Sequence, residues 1–145
     1  MGYTHYWGIT ETPIPAGALE KTVADAKRIV EAAKIPLVGT MGDPTTSAVL
    51  DPNDCIAFNG VAGDSHESFM FEPHNEDWAC CKTAHKPYDV VVTSILARAQ
   101  FHYGAALKVT TDGDIGEWSA AFDLCVDLFA QEPDVAFYEP RISTT

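Results

Sequence analysis

The stretch "WACCKTAHKPYDVVVTSILARAQFHYG", residues 78–104, decides how the rest of the chain is arranged. Pro87 stands where a first helical residue is favoured, because proline has no amide proton to lose there, and Gly104 stands where a helix stops. Between them Tyr88, Val91, Val92, Ile95, Leu96, Ala99 and Tyr103 recur at helical spacing and form a broad apolar face. The segment therefore reads as a helix, and the preceding "HNEDWACCKTAH" reads as the loop that leads into it.

Working outward, "YTHYWGI" is rich in aromatic and β-branched residues and reads as a strand that breaks at "TPIPAG". From Ala18 to Lys34 the apolar positions Leu19, Val23, Ala26, Val30 and Ala33 keep helical spacing, and Pro36 ends the run. "CIAFNG" and "HESFMFEP" are two strands joined by the Gly-containing "VAGDS", which suits a hairpin. "ALKVTTDG" is a further strand closing at Asp112-Gly113. A third helix is expected from about Asp114 to Gln131, with Ile115, Trp118, Phe122, Cys125, Val126 and Phe129 inward. The tail "PDVAFYEPRISTT" offers an edge strand. The predicted class is α+β: a single domain, 1–145, with an antiparallel sheet covered by helices on one face. Its order is ferredoxin-like, β-α-β-β-α-β, plus a C-terminal helix.

Composition bounds the partners. A chain of 145 residues with 46% hydrophobic side chains is long enough to bury a core without staples. Nine basic against 21 acidic side chains, a formal net charge of -12, argue against a long nucleic acid, whose affinity comes from phosphate neutralisation. A small anionic ligand in a local pocket stays open, because a pocket needs only its own field. No apolar run approaches the roughly 18 residues of a membrane span, and no basic, then apolar, leader opens the chain, so a cytoplasmic location is expected. Cys80 and Cys81 are adjacent, which suits neither a disulfide nor a CxxC chelate, so the four cysteines read as reduced thiols.

Strand parity assigns faces. Ile56, Phe58, Phe69, Phe71, Leu107 and Val109 are expected to face the helices. The free face then receives Ala57, Asn59, His66, Ser68, Met70, Lys108 and Thr110, and the parity set Tyr3, His5 and Trp7 is placed with them. Aromatic rings there stack on bases, while histidine, asparagine and lysine read polar edges or phosphate. Packing in a core or a homo-oligomer interface is the competing use of the same aromatics.

Lys82, Thr83, His85 and Lys86 precede the helix at Pro87, where free amides and the helix dipole favour an anion. Surface pairing with Glu76, Asp77 or Asp89 is the alternative. No metal site or cofactor is expected: His5, His66, His74, His85 and the cysteines lack ligand spacing, and position 70, four beyond His66, is Met. "TTDGDIGEW" lacks the length of a calcium loop. It reads as a turn and helix start, with Asp114 and Glu117 at the favourable end of the dipole.

"GYTHYW", "FNG", "GDSHESF", "CKTAHKPYD" and "TDGDIGEW", taken together from Gly2 to about Trp118, resemble a family of short proteins found in phage and some actinobacterial genomes. The family pattern more often has arginine where His85 stands, which weakens an anion-binding role there. The resemblance carries over no activity. It implies a viral or prophage origin and directs attention to Tyr3, His5, Trp7, Asn59, His66, Glu67, Lys82, Thr83, Lys86 and Tyr88 as ligand-binding residues. Three functions are expected to compete. The first is a binding protein that sequesters a nucleotide-derived signal of anti-phage defence, cyclic or ADP-ribose-type. The second is a metal-independent phosphodiesterase or nuclease using His5 and His66. The third is an acidic inhibitor of a protein partner.

Overall fold

The computed structural model describes residues 3–72, 78–131 and 133. The expected tail strand, the carboxylates of Glu76 and Asp77, and His74 lie outside the described residues. The strands are β1 (Thr4–Ile9), β2 (Val49–Leu50), β3 (Ile56–Phe58), β4 (Phe69–Phe71), β5 (Ala79–Lys82) and β6 (Leu107–Thr111). The helices are α1 (Ala18–Ala33), α2 (Asp89–Tyr103) and α3 (Ser119–Phe129). The class is α+β: among the described residues there are three α-helices and two three-stranded antiparallel sheets, ordered β5-β1-β6 and β2-β3-β4.

The loop assigned to residues 74–85 is the main departure, because part of it is β5. β5 takes the edge of β1 that a ferredoxin-like sheet would give to β4, so the four expected strands do not share one sheet. Its sequence hides the strand: "ACCK" has no branched or aromatic residue, and only one of its side chains is fully inside. The adjacent cysteines are explained by alternation, since Cys81 is 0% exposed and Cys80 faces solvent. The two sheets meet where Glu67 N donates to the Lys82 carbonyl at 3.2 Å and Lys82 N donates to Glu67 Oε1 at 2.8 Å.

Both sheets turn one face into a common core. Ile56, Phe58, Phe69, Phe71, Leu107 and Val109 are buried there, as expected. Tyr3, His5 and Trp7 correct the expectation: at 4%, 0% and 3% exposure they lie inside, not on a free face. Trp7 packs on Phe69 and Phe71, with ring centroids 5.2 and 6.3 Å away. Their parity runs on to Ile9, whereas the other set is Thr4, Tyr6 and Gly8, and burying the larger apolar set releases more water. Gly8 on the outer face lets the Trp78 ring lie against β1, since an added Cβ would stand 3.0 Å from it. With Tyr3 and Trp7 inside, the outward apolar surface of β2-β3-β4 reduces to Val49 and Met70, 42% and 43% exposed, on either side of Ala57.

α2 is the central helix, packed against both α1 and α3. Its residues 91–100 are all buried, so Thr93, Ser94, Arg98 and Gln100 are enclosed with the expected apolar face, while Phe101 near its end is 55% exposed. A buried guanidinium needs partners: Arg98 Nε donates to Asp25 Oδ2 at 2.8 Å and its plane lies 4.2 Å from the Phe129 ring centroid. His102 Nε2 reaches the same oxygen at 2.6 Å. The start of the third helical segment is a capping box, in which Asp114 Oδ1 accepts from Glu117 N and Glu117 Oε1 accepts from Asp114 N. Ala121 and Cys125 of α3 are buried together with Trp118 just before it, while Val126, expected inward, is 39% exposed.

Candidate functional site

Pairing sets the head of β1 against the end of β5, with Thr4 opposite Lys82. Thr83 N and Ala84 N then donate to the Tyr3 carbonyl at 3.1 and 3.3 Å. The chain reverses through residues 83–86, where Lys86 N donates to the Thr83 carbonyl at 2.9 Å and Ala84 and His85 have φ of 51° and 60°. Two positive φ values in succession make a type I′ turn, which normally takes Gly or Asn. Two non-glycine residues there cost about 1–2 kcal/mol each. The His85 ring, stacked on Tyr3 at 3.8 Å with planes 17° apart and 3.5 Å from Glu117 Oε2, helps hold the turn.

This turn lowers Thr83 onto the first residue of α2. Asp89 Oδ1 accepts from Thr83 Oγ1 at 2.5 Å and from His5 Nε2 at 2.7 Å. A carboxylate only accepts, so hydrogen-bond logic puts a proton on Nε2. His5 Nδ1 lies 2.8 Å from Thr111 Oγ1, which in turn accepts from Gly113 N at 3.1 Å. A threonine, a histidine and an aspartate in line resemble a nucleophile, a base and its orienter. Burial decides against that chemistry, because His5 and Thr111 are both 0% exposed and no substrate can reach them. The row is a structural tie between β1, β6 and α2. The phenol of Tyr3, edge-on to His5, is pushed well above its ordinary range by burial and then by the Asp89, Glu117 and Asp114 carboxylates.

A second set of bonds ties the 59–67 segment to the same place. The Asn59 amide gives both protons away, to the Thr40 and His66 carbonyls, and its oxygen accepts from Gly60 N and His66 N. That occupies both donors and both lone pairs, so Asn59 is a clamp with nothing left for a ligand. Tyr88 donates to the Glu67 carbonyl at 2.5 Å, and burial, then Cys81 beside it, pushes its phenol up. Burial likewise pushes the Cys81 thiol up to about 12. The exposed ring of His66 is oriented by its Nδ1, 2.8 Å from the Lys82 carbonyl. The carbonyl accepts, so the proton of that bond sits on Nδ1.

The residues singled out from the sequence are therefore brought together, with the exception of Trp7, which belongs to the aromatic core. The anion seat at the helix start is not formed as expected. Asp89 N is used by the Lys86 carbonyl, and Val91 N and Val92 N by the Tyr88 carbonyl. The anion at that end is the chain's own Asp89. Lys82 and Lys86 do not converge on it: Lys82 is on the outward parity of β5, and Lys86 Nζ reaches the Gly63 carbonyl at 3.1 Å.

What the network frames is a cavity of about 260 Å³. Ile35 and Pro36, just past α1, form one side, with Gly60, Val61 and Asp64 on another and Pro87 and Tyr88 on a third. Lys86, next to Pro87, spans from the α2 side to the 60–64 loop. Sequence reasoning missed Asp64, Pro36 and Pro87 as walls, because only the fold brings them together. It also missed Asp89 and Thr111 as a pair, although an acid at the first turn of a helix is a readable signal. Among the described residues no group of three or more His, Cys, Asp or Glu side chains is placed to hold a metal ion, and no helix is long and apolar enough to cross a membrane. No protein-family model, no curated protein and no solved structure matches the chain.

Proposed function

We propose that the protein binds a small nucleotide-derived anion, of the cyclic-nucleotide or ADP-ribose type, in the cavity between residues 35–36, 60–64 and 87–88, and withholds it without turning it over. The observation that carries this reading is a cavity walled by apolar residues and Asp64, with Lys86 next to its Pro87 wall and bonded to the 60–64 loop. Ile35, Pro36, Val61 and Pro87 suit the faces of a base, Asp64 can accept from ribose hydroxyls, and Lys86 can exchange the Gly63 carbonyl for a phosphate. In a phage-encoded protein, acting in the host cytoplasm, such binding would remove a signal of anti-phage defence. A phosphodiesterase using His5 and His66 together is disfavoured by the enclosure of His5. We also take the sheets as a ferredoxin-like plan opened by insertion of β5, and place any homo-oligomer contact on the Val49 and Met70 surface.

Titration calorimetry with a panel of cyclic nucleotides and ADP-ribose derivatives tests the reading, followed by heat denaturation and chromatography of the released ligand. The expected result is saturable binding of at least one member, recovered intact. Lys86→Ala should weaken it about tenfold or more, whereas Lys82→Ala should leave it unchanged. No binding at millimolar ligand, or equal affinity in Lys86→Ala, overturns the assignment.

A further inference from the structure

A second cavity lies at the other end of α1, about 24 Å along the helix from the first. It measures about 230 Å³ and is walled by Ile14, Pro15, Leu19, Glu20, Pro52 and Tyr103. The head of α1 opens onto it without a side-chain cap, because the N-cap is Gly17, with φ 76°. Ala18 N and Lys21 N are used by the Pro15 and Gly17 carbonyls. The Leu19 and Glu20 amides, in the first turn, have no carbonyl four residues back within the helix. Independently, Tyr103 is 1% exposed and its hydroxyl has no hydrogen-bond partner among the described residues. Buried hydroxyls are nearly always paired, so an orphan in a cavity wall marks a missing partner. Burial pushes the Tyr103 phenol up, so the group stays a donor.

We propose that this cavity is a second binding site, taking a small, largely apolar, uncharged molecule with one carbonyl oxygen. Tyr103 and the head of α1 both offer hydrogen, which selects an acceptor, and the Glu20 carboxylate on the wall disfavours an anion. The volume equals about eight waters, enough for an amide with a short alkyl chain. Nothing in this site depends on the nucleotide cavity.

The test is an NMR titration of the ¹⁵N-labelled full chain with hexanamide and, separately, with hexanoate. Hexanamide should shift the amides of residues 16–21 saturably, and hexanoate should do so only weakly. Tyr103→Phe should weaken hexanamide about tenfold while melting at or above the wild-type temperature, since an unpaired hydroxyl has no bond to lose. Glu20→Gln should bring hexanoate towards the affinity of hexanamide. Absence of saturable shifts in that segment, equal hexanamide affinity in Tyr103→Phe, or a Tyr103→Phe melting temperature lowered by several degrees overturns the proposal. An unchanged hexanoate response in Glu20→Gln overturns its charge selectivity.

Discussion

Replacing Asp89 with alanine removes the one oxygen that His5 Nε2 and Thr83 Oγ1 share, at 2.7 and 2.5 Å. Both donors belong to side chains with no exposure to solvent. Leaving a buried donor unpaired costs about 1–3 kcal/mol, so two would cost about 2–6 kcal/mol. Asp89 itself is 16% exposed, which lets water enter from one side and favours the lower half of that range, about 2–4 kcal/mol. Asp89→Asn keeps an acceptor oxygen and loses only the charge assistance, about 1 kcal/mol. Urea unfolding followed by tryptophan fluorescence separates the two. With a slope of about 2 kcal/mol per molar, alanine should lower the midpoint by about 1–2 M at constant slope, and asparagine by about 0.5 M. Equal losses for the two variants, or an alanine loss below about 0.5 kcal/mol, would refute the idea that Asp89 ties β1 to α2.

Two further outcomes are expected. At Asp25, burial works to raise the carboxyl pKa, but the hydrogen bonds from His102 and Arg98 outweigh it and hold the group below its usual range. A depressed carboxyl contributes fully above its unfolded pKa of about 4 and loses that contribution as pH falls through the lower folded value. The stability gap between wild type and Asp25→Asn, from urea midpoints, should therefore be flat near neutrality and shrink below about pH 4. A pH-independent gap contradicts the pairing. Among the cysteines only Cys80 is exposed, whereas burial raises Cys125 to about 11, Cys81 to about 12 and Cys55 upward. A thiol reagent should titrate one fast group in the native chain, lost in Cys80→Ser, and more than one fast group contradicts the placement.

The helices were legible because their signals are local. Pro87, Gly104 and the spacing between them bound α2 to within two residues, and the Asp114 to Glu117 capping box appears where the acidic residues pointed. β5 was not legible, since two cysteines, an alanine and a lysine form a strand only because the edge of β1 is there to pair with them. The face of β1 could have been read by counting one residue further, to Ile9 and Gly8, rather than weighing Tyr3, His5 and Trp7 by what they could bind. Polar residues in a motif are ambiguous in this way: His5, Asn59 and Thr83 have the chemistry to hold a ligand, and each spends it on the chain's own groups.

That ambiguity changes where selectivity would reside. The hydrogen-bonded residues set the distance between the 60–64 loop and the head of α2, and the cavity is what remains between them. Gly60 shows how small the tolerance is. A Cβ there would stand 2.2 Å from the Asp64 carbonyl oxygen and 3.0 Å from the Tyr88 ring, on two walls of the cavity at once. Backbone cannot yield as a flexible side chain does, so any larger residue would drive the loop outward and carry Asp64 with it. In the proposed site the buried motif residues would act through geometry, by fixing how far Asp64 stands from the apolar walls.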